Sequence, residues 1–149
     1  MSHVVTLNVE IKDLAALRAA VARLGGELRV QSAYHTWITD HGRLYGDFAP
    51  QLPLGFSVAD IGKCEFAICF PGVQYEIGVC ARRDGMPGYC LLWDFYDGNL
   101  VKAVGGVTAD ALIQAYHVEL QIAGAYADGA TCVRETRDVN GDILLEIEA

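Results

Sequence analysis

Apolar and polar residues alternate along the central stretch 63–97 with a period of two residues. Turn signals divide this stretch at Pro71-Gly72, Asp84-Gly85 and Asp97-Gly98, so the pattern predicts three successive strands. Because the turns are short, we expect neighbouring strands to pair antiparallel. The apolar positions expected to share a face are Cys64, Phe66, Ile68 and Phe70, then Tyr75, Ile77 and Val79, then Tyr89, Leu91, Trp93 and Phe95. The opposite face is left for solvent or for a second layer.

A β-α-β pattern precedes these strands. The stretch 5–11 alternates as a half-buried strand does, and Asp13 is suited to cap the helix that follows. That helix has apolar residues at helical spacing and ends at Gly25-Gly26, where a left-handed residue costs little. Glu27 to Gln31 predicts a second strand. The inward helix positions are Leu14, Leu17, Val21 and Leu24.

Two further regions flank the three central strands. Ala33 to Thr39 is aromatic and β-branched, which predicts a strand, whereas 43–62 lacks periodicity and predicts an ordered loop over the sheet. Asn99 to Val107 predicts a connection, followed by a second helix that begins near Thr108 or Asp110. Two strands, Thr131 to Arg137 and Asp142 to Glu148, then follow around an Asn-Gly turn, with Ile143, Leu145 and Ile147 on the inner face.

These elements predict an α+β fold for residues 1–149, treated as a single domain. We expect a mostly antiparallel sheet with two helices packed on one face, a variant of the ferredoxin-like layout. A chain of 149 residues is long enough to bury its own core.

The composition of the chain argues against several classes of binding partner. The chain carries 11 Lys and Arg against 19 Asp and Glu, a net charge of −8, and has no basic stripe, so nucleic-acid binding is not expected. A few local arginines can still hold a small phosphorylated ligand. No run reaches the length of a membrane span and no signal segment precedes the first strand, so no membrane partner is expected. Five cysteines without a CxxC pair favour core thiols in a reducing cytoplasm, with no metal or other cofactor.

Short motifs at both ends resemble a known family. They are the opening Met-Ser-His-Val-Val-Thr with Ile11-Lys12-Asp13, the segment Trp93 to Gly98, the helix segment Leu112 to His117, and Asn140 to Leu145 in the last hairpin. Together they are similar to the hypothetical chloroplast reading frame thirty-five family (domain of unknown function twelve fifty-seven), in a bacterial or phage-type form. Residues 36–72 depart from the family's middle. The resemblance implies no established activity, but relatives encoded beside an AAA-class ATPase suggest an accessory role.

Catalytic signatures are absent from the sequence. No serine stands in a nucleophile elbow, and neither a phosphate-binding loop nor a dinucleotide fingerprint occurs. Asp94 lies on a strand beside a phenol, an arrangement that can hold a ligand hydroxyl or amine. The histidines have local structural explanations alongside the functional ones. The candidate ligand-binding residues are Tyr34, His35, Trp37, Arg43, Asp94, Tyr96 and His117.

The aromatic density exceeds what one small core needs, so some rings should line a pocket or an interface. We therefore predict a non-catalytic homo-oligomer that binds or sequesters a small molecule, such as a nucleotide or another metabolite, between Tyr34–Trp37 and the loop Arg43–Phe56. One alternative is a small hydrolase or lyase with Asp94 or Glu76 as general base and a histidine. Another is an accessory subunit of an AAA-class ATPase.

Overall fold

Seven strands and three α-helices form the described part of the chain in the computed structural model, which covers residues 4–7, 9–36, 39, 52–94 and 98–149. The strands are β1 Val4–Thr6, β2 Glu27–Val30, β3 Phe66–Cys69, β4 Ile77–Ala81, β5 Tyr89–Asp94, β6 Cys132–Arg137 and β7 Ile143–Glu148. The helices are α1 Leu14–Arg23, α2 Gly98–Val104 and α3 Asp110–Ala127, and a 3-10 turn spans Val58–Asp60.

The main sheet has the strand order β1-β5-β4-β3-β2, and every neighbouring pair is antiparallel. Strands β2 to β5 form a meander, and β1 pairs with β5 at the far edge. Strands β1 and β2 therefore lie on opposite edges, with α1 between them in sequence. The predicted α+β class with an antiparallel sheet is confirmed. Unlike the β-α-β-β-α-β order of a ferredoxin-like fold, the described ranges place four strands between α1 and α2.

One face of the sheet packs against α1 and α3, as predicted. Most of the predicted inward residues of the central strands are buried there, among them Ile68, Ile77 and Trp93. Phe66 and Tyr89 are partly buried, and Phe95 lies outside the described residues. The Tyr116 hydroxyl of α3 accepts hydrogen bonds from the backbone amides of Lys12 and Asp13 at 3.1 and 3.3 Å. This contact fixes α3 against the start of α1. The helical residues of this core include Leu17, Ala20 and Val21 of α1, Leu100 and Val104 of α2, and Leu112, Ala115 and Tyr116 of α3.

The opposite face of the sheet is also covered. Tyr34 is only 2% exposed and forms a second cluster of buried residues with Ala67, Cys69, Cys80 and Leu92. Its ring lies against Gly78 of β4, where a Cβ atom would stand 2.4 Å from Cε1 of the ring. The part of the chain around Tyr34 therefore forms the second layer over this face of the sheet, which the alternating pattern of the strands had left for solvent or for such a layer. Cys64, predicted on the helix-covered face, packs against this second cluster instead, because β3 begins only at Phe66.

Two sequence predictions of local structure are wrong. The described part of Ala33 to Thr39 forms no strand: Ala33 makes a single bridge to Lys63, and Thr36 and Thr39, the latter helical, bond to each other. The stretch predicted as a connection after the sheet contains α2, because Leu100 and Val104 are four residues apart and bury one helical face.

The last two strands form a separate two-stranded sheet. Their predicted inner face is confirmed for Ile143 and Leu145, which are half-buried, while Ile147 is 56% exposed. A two-stranded hairpin is marginally stable by itself, so its contacts with the helices matter. No helix in the described ranges is long and apolar enough to cross a membrane.

Candidate functional site

A cavity of about 300 Å³ lies where α1, α3 and the β6–β7 hairpin meet. Its polar groups are two guanidinium groups and one amide, and its remaining lining is apolar. We call it the arginine cavity. The lining residues are Arg23, Leu24, Ala111, Gln114, Ala115, Arg137 and Ile143.

The lining residues face the cavity because of their positions on α1, on α3 and on the hairpin. Arg23 is the last residue of α1, and Ala111, Gln114 and Ala115 lie at i, i+3 and i+4 on one face of α3. Arg137 and Ile143 are cross-strand partners at the turn end of the hairpin, so they share a face.

Arg23 connects the helices to the hairpin. Its Nε donates to Glu119 of α3 at 2.5 Å, and its Nη1 donates to Glu135 of β6 at 2.6 Å. The bond that Arg23 donates to Glu135 is the main cause that raises the pKa of Arg23, and the bond to Glu119 adds to it. The bond from Arg23 also lowers the pKa of Glu135. With two carboxylates already on it, Arg23 serves chiefly to hold the hairpin in place.

Arg137 differs from Arg23 in its partners. Its Nη1 donates to the Gly141 carbonyl at 3.1 Å, which orients the guanidinium at the turn. Among the described residues, no carboxylate oxygen lies within 4 Å of its guanidinium nitrogens. A guanidinium has five N–H donors, so most of those on Arg137 are available to a ligand beside the amide of Gln114.

A second polar region lies at the opposite face of the sheet, around the buried carboxylate of Glu76. Its Oε1 accepts from the His35 amide at 2.9 Å and from Gln31 Nε2 at 3.2 Å, and its Oε2 accepts from Cys69 Sγ at 2.9 Å. Burial, reinforced by Glu76, raises the pKa of the Cys69 thiol to about 12. The thiol is therefore protonated near neutrality, and this carboxylate holds the chain together rather than presenting a free base.

Cys69 also borders a cleft of about 430 Å³ at the edge of the sheet. Arg29 at its rim is paired with Glu27 at 3.0 Å, and both side chains are more than half exposed. The cleft therefore offers a charge-neutral rim over a protonated thiol. The lining residues are Gly25, Gly26, Glu27, Arg29, Cys69, Phe70, Pro71 and Val73.

Tyr34 and Asp94 belong to the same side of the sheet. Burial raises the pKa of the Tyr34 phenol, and Cys80, Cys64 and Asp94 add to that rise. The Gly62 backbone opposes this rise in the pKa. The Tyr34 hydroxyl itself has no hydrogen-bond partner of normal geometry among the described residues. Asp94, at the end of β5, is only 1% exposed.

The structure brings together only part of the predicted site. Tyr34 and Asp94 share one side of the sheet, and on that side the backbone amide of His35 donates to Glu76. His117 lies apart from these residues: it is exposed on α3, beside the Tyr116 ring on the helix-covered side of the sheet. Trp37, Arg43 and Tyr96 lie outside the described residues. Within the described ranges, no three His, Cys, Asp or Glu side chains are placed to hold a metal ion.

Sequence reasoning missed the residues of the arginine cavity. Arg23, Gln114 and Arg137 are far apart in the chain, and only Gln114 lies in one of the short motifs, the helix segment Leu112 to His117. The sequence offered only its overall charge balance as a signal. In a chain with 11 basic residues against 19 acidic ones, two arginines that line one cavity are unusual.

No protein-family model, no curated protein and no solved structure matches the chain. The similarity to the chloroplast reading frame thirty-five family therefore depends on the short sequence motifs alone. The function has to be inferred from the geometry of the cavity and of the buried polar groups.

Proposed function

We propose that the protein binds a small anionic metabolite, one with a carboxylate or phosphate group, in the arginine cavity, and that it does so without catalysis. The observation that carries this proposal is Arg137, a guanidinium on the cavity wall with no carboxylate oxygen within 4 Å in the described part of the chain, although, after the bond from Arg23, its charge helps lower the pKa of the nearby Glu135 carboxyl. Guanidinium groups bind carboxylates and phosphates through paired N–H donors, which gives both affinity and orientation.

The size and lining of the cavity suit such a ligand. A volume of about 300 Å³ is at the lower end of the range for small-molecule sites. Leu24 and Ile143 offer an apolar wall for the uncharged part of the molecule. The chain's net charge of −8 repels anions at a distance. Because Arg23 is already paired with Glu119 and Glu135, the charge of Arg137 is needed to offset that field locally.

The catalytic alternative has less support. None of the described residues that line the arginine cavity is a His, Cys, Asp or Glu, so this part of the wall offers no nucleophile or general base. Glu76 is already hydrogen-bonded to three groups, and His117 is on the other side of the sheet from Asp94. Homo-oligomerisation, an accessory role beside an AAA-class ATPase, a cytoplasmic location and a bacterial or phage-type family member stay predictions from the sequence.

Binding is testable by thermal unfolding and calorimetry with inorganic phosphate, succinate and adenosine monophosphate as probes. A ligand at 100 times its dissociation constant stabilises by about 2.7 kcal/mol, which raises the melting temperature of a domain of this size by about 5–10 °C. Arg137→Ala should abolish the shift. Arg134→Ala is the matched control, because Arg134 is on the same strand but on its other face, where it pairs with Glu146 and Glu148.

Native mass spectrometry of protein taken from cells extends the test beyond these probes, because it reports a retained anion directly. Retention that is lost in Arg137→Ala and kept in Arg134→Ala supports the proposal. Equal binding by both variants would place the ligand elsewhere, and recovery of a chemically altered ligand would overturn the non-catalytic assignment.

A further inference from the structure

We propose that Cys80 and Cys90 form a cross-strand dithiol, a modification site that a two-electron oxidant converts into an intramolecular disulfide. The two residues are direct partners in the antiparallel pairing of β4 with β5. This site is distinct from the arginine cavity, and its test does not depend on ligand binding.

The pairing register supplies the required geometry. Residues directly opposed in an antiparallel pair project to the same face, with Cα atoms about 4.5–5.5 Å apart. Disulfides need Cα separations of about 4.4–6.8 Å. Strands β4 and β5 are both interior strands of the main sheet, and the neighbouring pair Val79 and Leu91 is buried, so slippage of the register would expose core side chains.

The two thiols differ in access. Cys90 is half-buried, whereas Cys80 is 2% exposed and its Sγ donates to the Lys63 carbonyl at 3.3 Å. An oxidant from solvent therefore reaches Cys90 first, and Cys80 is placed to resolve the product. Burial raises the pKa of Cys90, and it raises that of Cys80 to about 12, so thiolate is scarce near neutrality and the reaction is slow.

The chemistry with hydrogen peroxide balances in two steps. The Cys90 thiolate attacks one peroxide oxygen, the O–O bond breaks, and a sulfenic acid forms as the other oxygen leaves as water. The Cys80 sulfur then attacks the sulfenic sulfur, the S–O bond breaks, and a second water leaves. In sum, two S–H bonds are replaced by one S–S bond, and peroxide accepts two electrons and two protons.

A third thiol provides the main competing outcome. Cys64 lies close enough to Cys80 to raise the pKa of its thiol, but Cys64 is outside the strand pairing and its Sγ donates to the Gln31 carbonyl at 3.2 Å. Any disulfide of Cys80 replaces the bond from its Sγ to the Lys63 carbonyl, and one with Cys64 would in addition need the bond from Cys64 to the Gln31 carbonyl to break. The register favours Cys90 as the partner.

The experiment treats the full chain with hydrogen peroxide and counts thiols after denaturation, with intact mass and peptide mapping on the same samples. All five cysteine thiols are unpaired before treatment. Wild type should fall from five thiols to three, lose the mass of two hydrogens, and recover five with dithiothreitol. Cys90→Ser should keep all four of its thiols, whereas the control Cys132→Ser, altered on the separate hairpin, should still lose two.

Peptide mapping of wild type decides the pairing even where a serine variant fails to fold. A crosslinked peptide pair containing Cys80 and Cys90 supports the proposal. A crosslink through Cys64, a disulfide between two chains, a loss of two thiols in Cys90→Ser, or five thiols left in wild type after oxidation of a model dithiol peptide in the same tube would each overturn it.

Discussion

Replacing Gly78 with alanine tests the packing that covers the second face of the sheet. A Cβ atom at this position would lie 2.4, 2.6 and 2.8 Å from three carbons of the Tyr34 ring, where ordinary contacts begin at 3.4 Å. The ring would have to retreat by roughly 1 Å, and it is 2% exposed. Gly78 itself is fixed between partners on β3 and β5.

The expected cost follows from two opposing effects. Inserting a methylene-sized group into a packed core costs about 1–3 kcal/mol. Alanine recovers about 0.5–1 kcal/mol of the conformational entropy that glycine loses in a strand. The net loss in the free energy of unfolding should be about 0–2.5 kcal/mol, and the approach of 2.4 Å favours the upper part of that range. Urea unfolding measures it as a lower midpoint with an unchanged slope.

A second background makes the test specific to the ring. In a Tyr34→Leu protein the ring is gone, so Gly78→Ala should cost about 1 kcal/mol less than in wild type, the coupling expected of residues in contact. Gly124→Ala on α3 is the control, since no atom lies within 4 Å of its added Cβ, and it should stabilise by about 0.5–1 kcal/mol. An equal cost of Gly78→Ala in both backgrounds would refute the contact between ring and strand.

Two further predictions concern a buried hydroxyl and the hairpin. Tyr34→Phe should stabilise the protein by about 1 kcal/mol in urea unfolding, because it removes a buried hydroxyl without a partner among the described residues; a loss of stability would instead indicate a bound water or ligand. The folded pKa of Glu135 is below its ordinary value of 4.5, so its bond to Arg23 stabilises the docked hairpin above that value, and this stabilisation is lost as pH falls through the folded pKa. Amide protection factors of β6 should therefore decrease in acid for wild type and vary less in Glu135→Gln, and equal profiles would contradict this.

Local signals account for the parts of the fold that were predicted correctly. Asp13 accepts from the Ala16 amide at 3.0 Å, as an N-cap does, and the turn between β4 and β5 has Gly85 at a φ of +81° beside Asp84, which accepts from the Met86 amide. Each feature depends on residues a few positions apart. The alternation of the central strands is similarly local, which is why their pairing could be expected from the sequence.

The errors arise where tertiary contacts decide. The aromatic, β-branched segment after β2 has the composition of a strand, but Tyr34 packs its ring against Gly78 instead of joining a ladder. Gly78 permits this because it has no side chain on that face. Nothing near Tyr34 in the sequence identifies its partner on β4, so propensity alone favoured the wrong structure.

The arginine cavity could not be predicted for the same reason, and its construction links binding to folding. A two-stranded hairpin is marginal alone, so Arg137 and Ile143 reach the cavity only while the hairpin is docked on the helices, and the bond from Arg23 to Glu135 is one of the contacts that dock it, beside that from the Val133 amide to the Tyr126 hydroxyl. A ligand that contacts both Gln114 of α3 and Arg137 of β6 would bind the docked hairpin and not the undocked one. By linkage, the free energy by which the ligand stabilises the docked hairpin equals the free energy by which docking of the hairpin strengthens ligand binding. Arg23→Ala should accordingly weaken binding at the cavity through the hairpin's position, even for a ligand that never touches Arg23.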